Sequence, residues 1–348
     1  MGKLTHLAVS YFHRRTYFRL ALIVLILCFW GYIEIGDLIP IEEHDLNRHA
    51  LDAINARYNG GPITFAFFGD PKNSPVFRQI VRKLNKDASL QFAIIGGDLV
   101  LYPERETFKS FLEQRRNLEI PSLTFPGNHD VAFDSMYLYY HIFGRMYQAF
   151  VLGNAKFILL DDSNETGIGD EQEGWLKKEL KDGMNYKYRF VFMHVPLWDP
   201  RDKPGVLLRY AHSLKDPDAA RWMEELFLKY KVTMLFASHI HAFYDVTTRG
   251  LHTIISGGAG AELVGKEPGH TFYHYVRVKV TDQGVRTEVA KLDKAVPFGR
   301  FRRYFSIAGL YGRTMGRIYV KYILMFIFIV VLALDGLLEF YYQRRKRE

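Results

Sequence analysis

Cysteine is nearly absent from this sequence, since Cys28 is the single one among 348 residues. An intrachain disulfide is therefore excluded. Cys28 lies inside an apolar run, which favours a small buried hydrophobic side chain over a reactive thiol. Internal repeats and low-complexity segments are lacking as well. The length predicts one large globular domain or two small ones.

Acidic charge is in deficit, because 46 Lys and Arg outnumber 38 Asp and Glu and give a formal net charge of +8. Much of the excess lies at the two ends of the chain, at Lys3, Arg14, Arg15, Arg19, Arg344, Arg345, Lys346 and Arg347. Basic clusters at the ends are typical of the flanks of membrane segments. The pattern therefore predicts contact with a lipid bilayer and no nucleic-acid partner.

Residues 1–19 are a basic tail, and residues 20–40 are predicted to anchor the chain in a membrane. No charged residue occurs in 20–33, a run that is short for a span but adequate if the preceding arginine extends to the interface. A cleaved signal peptide is the alternative. Bulky Phe29 and Trp30 stand where small residues should precede a cleavage site, which favours an uncleaved anchor.

A second apolar segment, residues 318–342, precedes a basic C-terminal tail at 343–348. Two spans with basic tails predict an integral membrane protein with both termini in the cytoplasm and the domain between them outside. Asp335 and Glu339 count against the second span, although pairing with basic residues of the first helix would lower their cost. A soluble amphipathic helix is the alternative.

The linker 294–317 is basic and aromatic, and its mixture of Phe, Tyr and Arg suits an anionic lipid interface. This interpretation predicts a phosphate-ester substrate that is linked to lipid. A solvated basic linker is the alternative, and arginines outside a span oppose the predicted orientation.

After a polar lead-in at 41–61, residues 62–293 are predicted to form one α/β domain. Continuous apolar and β-branched runs predict strands at Ile63–Gly69, Leu90–Ile95, Ser122–Phe125, Lys156–Leu160, Tyr188–Met193, Val232–Ala237, Leu251–Ile255, Phe272–Val280 and Gly284–Leu292. Helical patterns occur at Ser74–Leu84, Arg105–Asn117, Asp170–Leu180 and Asp218–Tyr230. Alternation followed by a strand-rich end predicts mixed sheets with helices packed outside.

Polar side chains stand directly after five of these strands. They are Asp70, Asp98, Asn128 with His129, His194, and His239 with His241. Strand ends at one edge of a sheet converge, and oxygen and nitrogen ligands together suit Mn, Fe or Zn. One such histidine alone would more often be a hydrogen-bonded structural residue, but five coincident strand ends indicate a metal site.

The ordered motifs resemble those of the calcineurin-like metallophosphoesterase superfamily over residues 62–293. The matching segments are Gly69-Asp70, Gly97-Asp98, Gly127-Asn128-His129-Asp130, Met193-His194-Val195-Pro196 and His239-Ile240-His241. Asp162 with Gln172-x-x-Trp175-Leu176, and Gly257-Gly258-Ala259-Gly260, also resemble segments of some members. The resemblance implies an α/β fold in the form of a four-layer αββα sandwich, here expected to be flanked by two transmembrane helices.

The resemblance also implies two divalent metal ions close together, Mn, Fe or Zn, which activate a water for in-line attack on a phosphate ester. Carried over by motif, the ligands of the first ion are Asp70, Asp98 and His241, and those of the second are Asp98, Asn128, His194 and His239. His129 would protonate the leaving oxygen or stabilise the transition state. Asp130 would orient the ring of His129, and Asn128 and Lys72 would also contact the substrate.

One motif departs from the superfamily pattern, because the usual Asp-x-His reads Asp70-Pro71-Lys72. A charged lysine has no lone pair and cannot bind a metal ion. Three arrangements are open: Lys72 turns away, it replaces part of the charge of the first ion, or it keeps a weak first ion and contacts the substrate phosphate. The third is favoured, since three first-site ligands remain and lysine is a competent phosphate partner.

Two functions stay open. A membrane-anchored metal-dependent phosphoesterase is favoured, because His129 and every second-site ligand are retained. The alternative is a degenerate, non-catalytic member that binds a phosphorylated ligand or partner, and the loss of the first-motif histidine argues mildly for it.

Overall fold

The computed structural model describes residues 40–132, 135–202, 212–265 and 267–292, and at the two ends residues 17, 20–28, 31, 319, 322–334, 336, 337, 340, 341 and 344. The chain divides into two compact units, Ile41–Ser306 and, separately, Met1–Pro40 with Ile307–Glu348. All of the strand-end motifs lie in the first unit.

Strands and helices alternate through most of the described part of that unit. The strands are β1 (Ile63–Phe68), β2 (Phe92–Gly96), β3 (Ser122–Phe125), β4 (Gln148–Leu152), β5 (Ala155–Leu159), β6 (Tyr188–Phe192), β7 (Met234–Ala237), β8 (Phe243–Thr248), β9 (Leu251–Ser256), β10 (His274–Thr281) and β11 (Gly284–Lys291). The helices are α1 (Leu46–Arg57), α2 (Pro75–Asn85), α3 (Arg105–Arg115), α4 (Met136–Phe143), α5 (Asp170–Gly183) and α6 (Pro217–Lys229).

The strands form two mixed sheets. The first has the order β11-β10-β1-β2-β3, and the second has the order β4-β5-β6-β7-β9-β8. Strands β1, β2 and β3 are parallel, as are β5, β6, β7 and β9. Since parallel strands end at the same edge of their sheet, the residues that follow β1, β2, β3, β6 and β7 collect at two neighbouring edges.

An aromatic core joins the inner faces of the two sheets. Phe65 of β1 stacks on Phe92 of β2 with ring centroids 5.4 Å apart and meets Phe157 of β5 edge-on at 5.5 Å. Phe192 and Phe236, on β6 and β7, stack at 4.8 Å. All five rings are fully buried. Such rings supply a large apolar area and a preferred geometry, and they fix one sheet against the other.

Helices cover the outer face of each sheet. Phe77 of α2 and Phe111 of α3 stack 5.5 Å apart in the core cluster outside the first sheet. Leu176 of α5 and Phe227 of α6 are buried in the cluster outside the second sheet. The resulting order of helices, sheet, sheet and helices is the four-layer αββα arrangement predicted from the motifs.

The sequence patterns missed two strands and two helices, for physical reasons that differ. Strands β4 and β8 are the edges of the second sheet and are only partly buried, so their apolar pattern is weak. Helix α1 falls in the segment expected to be a polar lead-in. Its residue Asn47 donates to the carbonyl of Thr124 at 2.9 Å and accepts the Thr124 N–H at 2.8 Å. An amide side chain therefore closes the exposed edge of β3.

The predicted membrane topology is wrong. Among the residues that the structure describes, none of the helices is both long enough and apolar enough to cross a bilayer. The predictions that depended on two spans are therefore without support. They are the extracytoplasmic domain and the bilayer or lipid-linked partner. The linker 294–317 and most of both basic tails lie outside the described residues.

Candidate metal centre

Two buried carboxylates stand at the ends of adjacent parallel strands. Asp70 follows β1 and Asp98 follows β2, and neither side chain is exposed. Both backbones are left-handed, with φ of 62° and 52°, a conformation that side-chain-bearing residues rarely adopt. The Asp70 N–H donates to the carbonyl of Gly97 at 3.1 Å, which ties the two strand ends together. Backbone strain of this kind is often found at functional sites, where neighbouring contacts maintain it.

The structure brings all six predicted metal ligands together at this edge. Their carboxylate and imidazole atoms form two groups in which the donors lie within 4.8 Å of one another, Asp70 with Asp98 and His241, and Asp98 with His194 and His239. Asn128 adjoins the second group, with its Oδ1 atom 3.2 Å from His194 Nε2. Asp98 is common to both groups, which is the position that a bridging ligand would hold.

Two of the histidines are oriented by backbone carbonyls. Nδ1 of His194 lies 2.9 Å from the carbonyl of Gly96, and Nδ1 of His241 lies 2.8 Å from the carbonyl of Glu262. Each Nδ1 must carry a proton to make its bond, so Nε2 is the ring nitrogen that faces the carboxylates. Metal-binding histidines are held in the same way, by a hydrogen bond from the other ring nitrogen. The donors of the second group therefore fit a metal ion.

The electrostatics of the cluster favour bound cations. Burial opposes the ionisation of Asp98, but Lys72 and His194 hold its pKa well below the usual range. Burial also opposes a charge on His194, yet Asp98 and Asp70 raise the pKa of its ring to about 10. Burial and the adjacent His194 lower the pKa of His239 well below its usual range. Because a ligating imidazole must be neutral, a metal ion here would displace the proton of His194.

Lys72 lies among the donors of the first group. Its ammonium is 2.9 Å from Asp98 Oδ2 and 3.3 Å from His241 Nε2, and its side chain is 12% exposed. Burial disfavours the charge, but Asp98 and Asp70 outweigh it and raise the pKa of Lys72. Oδ1 of Asp70 is buried and accepts no hydrogen bond from the described residues, and Oδ2 of Asp98 is buried with the Lys72 ammonium as its partner. The ammonium therefore provides positive charge where these oxygens need it.

The ring of His129 is oriented differently from the prediction. Its Nδ1 lies 2.8 Å from the carbonyl of Leu101, and its backbone N–H donates to Asp98 Oδ1 at 3.0 Å. Asp130 does not perform the expected orienting contact, because its two carboxylate oxygens accept backbone N–H groups of Val100 at 3.1 Å and Gly127 at 2.9 Å. Burial and the charge of Asp98 raise the pKa of Asp130 to about 8. The contacts of Asp130 with Val100 and Gly127 instead link the loops after β2 and β3.

Further residues around the centre carried little or no sequence signal. The carboxylate of Asp162 accepts the backbone N–H of His194 at 2.7 Å and that of Val195 at 2.8 Å, so it fixes the end of β6. Glu165 approaches His239 Nε2 at 4.0 Å, and the ring of His212 lies 5.7 Å from that of His239. The sequence pointed to Asp162 because it belongs to a segment that resembles other members of the superfamily. Glu165 and His212 lie in loops, and only the folded chain shows that these loops approach His239.

Gly127 has a steric role in bringing the β2 and β3 loops together. A Cβ at this position would lie 2.4 Å from the backbone nitrogen of Asp98 and 2.4 Å from its Oδ1. Such distances are impossible without a shift of the backbone, so only glycine allows the loop to pass this close to the shared carboxylate.

Comparison with known proteins gives this arrangement a family. The family model of calcineurin-like phosphoesterases matches residues 63–243, more than half of the chain. The chain belongs to this family. The resemblance predicted from the motifs is thereby confirmed, and a metal-dependent phosphoesterase is the enzyme class that it predicted.

Curated relatives are phosphatases. Serine/threonine-protein phosphatase CPPED1 from Bos taurus is 26% identical over 204 residues, 53% of this chain and 63% of that protein. Purple acid phosphatase 23 from Arabidopsis thaliana is 24% identical over 168 residues, 40% of this chain and 34% of that protein. A third, Fe(3+)-Zn(2+) purple acid phosphatase 12 from the same plant, is 32% identical over 94 residues, 26% and 18% of the two chains. The chain thus matches less than two thirds of the length of each.

Solved structures share the fold. Purple acid phosphatase PPD1 from Lupinus luteus superposes with a TM-score of 0.54 at 18% identity, over 67% of this chain and 52% of that chain. GAP50 of the Plasmodium inner membrane complex gives 0.50 at 13% identity, over 67% and 90%. At such identities the likeness establishes the α/β architecture with its two mixed sheets and nothing about substrates.

Proposed function

We propose that this chain is a metal-dependent phosphoesterase whose reaction takes place at the cluster centred on Asp98. The observation that carries the proposal is the position of Asp98 in both donor groups, with the N–H of His129 donating to it at 3.0 Å. A divalent ion bound there would acidify a water and neutralise charge on the phosphoryl oxygens.

The side chains of the second group would hold that ion. Asn128, His194 and His239 offer an amide oxygen and two imidazole nitrogens, and Asp98 offers a carboxylate oxygen. This mixture suits Mn, Fe or Zn and does not select among them. Asp162 would keep His194 in place through its two backbone hydrogen bonds.

His129 would act on the leaving group. Because its Nδ1 hydrogen is directed to the carbonyl of Leu101, Nε2 is the nitrogen available to a substrate. A proton on Nε2 would pass to the leaving oxygen as its bond to phosphorus breaks. Asn128 would place an amide group beside the phosphate, and Asp130 would act indirectly by joining the loops that carry Asp98 and His129.

A turnover assay with defined metals tests the proposal. The purified chain is stripped with a chelator, reloaded with Mn, Fe or Zn, and assayed with p-nitrophenyl phosphate, its bis-ester and a phosphoserine peptide. The peptide is included because one relative carries the name of a serine/threonine-protein phosphatase. Metal-dependent turnover of at least one substrate is expected, with loss on chelation. Absence of turnover with every metal would refute the enzyme.

A non-catalytic member that binds a phosphorylated ligand is the second candidate. The position of Lys72 supports it, because an ammonium among the first-group donors departs from the superfamily motif. Binding of phosphate or phosphoserine peptide by calorimetry, without turnover, would favour this candidate over the enzyme.

A further inference from the structure

We infer that the ammonium of Lys72 takes the place of the first metal ion, so that the site binds a single divalent ion in its second group. The inference rests on the proposed function only in requiring that a metal bind at the Asp98 cluster. It differs from the arrangement favoured by the sequence, in which Lys72 tolerates a weak first ion.

Lys72 and an ion in the first group would compete for the same atoms. Lys72 Nζ contacts Asp98 Oδ2 at 2.9 Å and His241 Nε2 at 3.3 Å, and both of these residues belong to the first donor group. A metal ion would have to lie about 2.0–2.2 Å from each donor. An ion at that distance and an ammonium in its present position would occupy the same space. Binding in the first group therefore requires Lys72 to leave.

The backbone of Lys72 is held in place by hydrogen bonds. The Lys72 N–H donates to the carbonyl of Asp98 at 3.0 Å, and the N–H of Asn73 donates to that of Leu99 at 3.3 Å. Lys72 and Asn73 are both left-handed, with φ of 39° and 54°. The buried side chain of Asn73 accepts the N–H of Leu101 at 2.9 Å and donates to the carbonyl of Thr107 at 2.7 Å. This turn directs Lys72 into the cluster.

The charge balance of the cluster also favours a single divalent ion. Asp70 and Asp98 contribute two negative charges to a buried cluster, and Lys72 returns one positive charge. One divalent ion would leave the cluster with a single positive charge, whereas two would leave three. Like charges a few ångströms apart repel strongly where water is scarce. Lys72 contacts Oδ2 of Asp98, whereas His194 of the second group lies 3.3 Å from Oδ1, the other oxygen of that carboxylate. The ammonium and an ion in the second group therefore need not share an oxygen.

Metal stoichiometry of the full-length wild-type chain is the first test, and it needs no activity. The protein is dialysed against excess Mn²⁺ and separated from free metal on a desalting column. The number of ions bound per chain is then measured by elemental mass spectrometry. One ion per chain is expected. Two tightly bound ions would overturn the inference and leave the proposed function intact. No bound ion would overturn both.

The position of the ion is the second test. His239→Ala removes a ligand of the second group and should abolish the tightly bound ion. His241→Ala, the matched control, removes a ligand of the first group and should leave the ion in place. The opposite pattern would overturn the inference. Thermal unfolding of both variants verifies that they are folded.

Variants of Lys72 provide the third test. Lys72→His restores a possible ligand and should raise the content to two ions, visible as a spin-coupled Mn²⁺ pair by electron paramagnetic resonance. Lys72→Met removes the charge without adding a ligand, and it should retain one tight ion and bind a second one weakly. If folded Lys72→His still bound one isolated ion, Lys72 would not be the group that excludes the other.

Discussion

The two sheets contribute different chemistry to one centre. The first sheet carries both carboxylates, an amide and an ammonium on the loops after β1, β2 and β3, whereas the second contributes the imidazoles of His194, His239 and His241. The first sheet therefore sets the charge of the site. The second supplies imidazole donors, two of which are aligned by backbone carbonyls. How many cations the site accepts depends on the first sheet, and where they bind depends on both.

Two buried histidines show how much the carboxylates matter. His194 and His274 are both fully buried. Next to Asp98 and Asp70, the pKa of His194 rises to about 10 despite its burial. His274 faces the Ser256 hydroxyl at 3.0 Å and the Phe272 carbonyl at 2.9 Å, and burial lowers its pKa to about 4. The same residue type therefore behaves in opposite ways because nearby charge outweighs desolvation.

The largest effect is expected for Asp98→Asn, which removes the charge that both donor groups share. Metal affinity should fall by more than the roughly 10–100-fold that loss of an outer-shell partner costs, and turnover should fall to the level of the metal-free protein. Equilibrium dialysis and the phosphatase assay measure the two effects.

Asp87→Asn is the matched control for that charge. Asp87 accepts from Arg277 Nε at 2.7 Å, and this pair lies outside the metal centre. The control should keep wild-type metal binding and turnover. If Asp98→Asn bound metal as tightly as this control, the first sheet would not determine the charge of the site.

His129→Gln tests the imidazole on the loop after β3 separately from the three imidazoles that the second sheet contributes. Turnover should fall by about 10²–10⁴, the range for a general acid, while metal content stays at the wild-type value. His252→Gln, at a surface histidine that pairs with Asp245 at 2.7 Å, should alter neither. Loss of metal together with activity in His129→Gln would show that this ring holds an ion and is not the acid.

Asp162→Asn tests whether the second sheet supplies geometry. An amide oxygen can replace only one of the two acceptors that hold His194 and Val195. Metal affinity should therefore weaken by about 10–100-fold, as for other outer-shell partners. The control is Asp161→Asn, at a neighbouring carboxylate that accepts from Ser163 at 3.2 Å. Equal affinities in the two variants, measured by calorimetry, would argue against a positioning role of Asp162.

The last prediction concerns His274 and the stability of the fold. The pKa of His274 in the folded chain is about 4, below the ordinary value of 6.5. Between these two pH values the unfolded chain binds a proton at this residue and the folded chain does not. The free energy of unfolding should therefore decrease as the pH falls from 6.5, by up to about 3 kcal/mol near pH 4. Urea unfolding from pH 7 to 4 should show a shallower decrease for His274→Gln than for His252→Gln. The same pH dependence of the unfolding free energy in both variants would contradict this prediction.

Much of the fold could be predicted because buried parallel strands are continuous apolar runs with long helical segments between them. The nine predicted strands all exist, with ends that differ by up to two residues, and Ser122–Phe125 has the predicted bounds. The elements that were missed bury less, or bury a polar side chain such as Asn47, and so lack a clear period. The terminal segments show the opposite error. Their apolar composition resembled spans, but among the described residues none of the helices is long and apolar enough to cross a bilayer.

The strand-end residues themselves were determined locally, since a carboxylate, amide or imidazole directly after a buried strand must emerge at the carboxyl edge of its sheet. Contacts between distant loops had no such local basis. The Leu101 carbonyl that orients His129, the Val100 N–H that donates to Asp130, and the approach of Lys72 to His241 each join residues from different strand ends. Those pairings depend on left-handed turns and on how closely two sheets pack, and neither is encoded in the spacing of a motif. The identity of the ligands therefore follows from chain order, whereas the cation that occupies the first donor group follows from the tertiary structure.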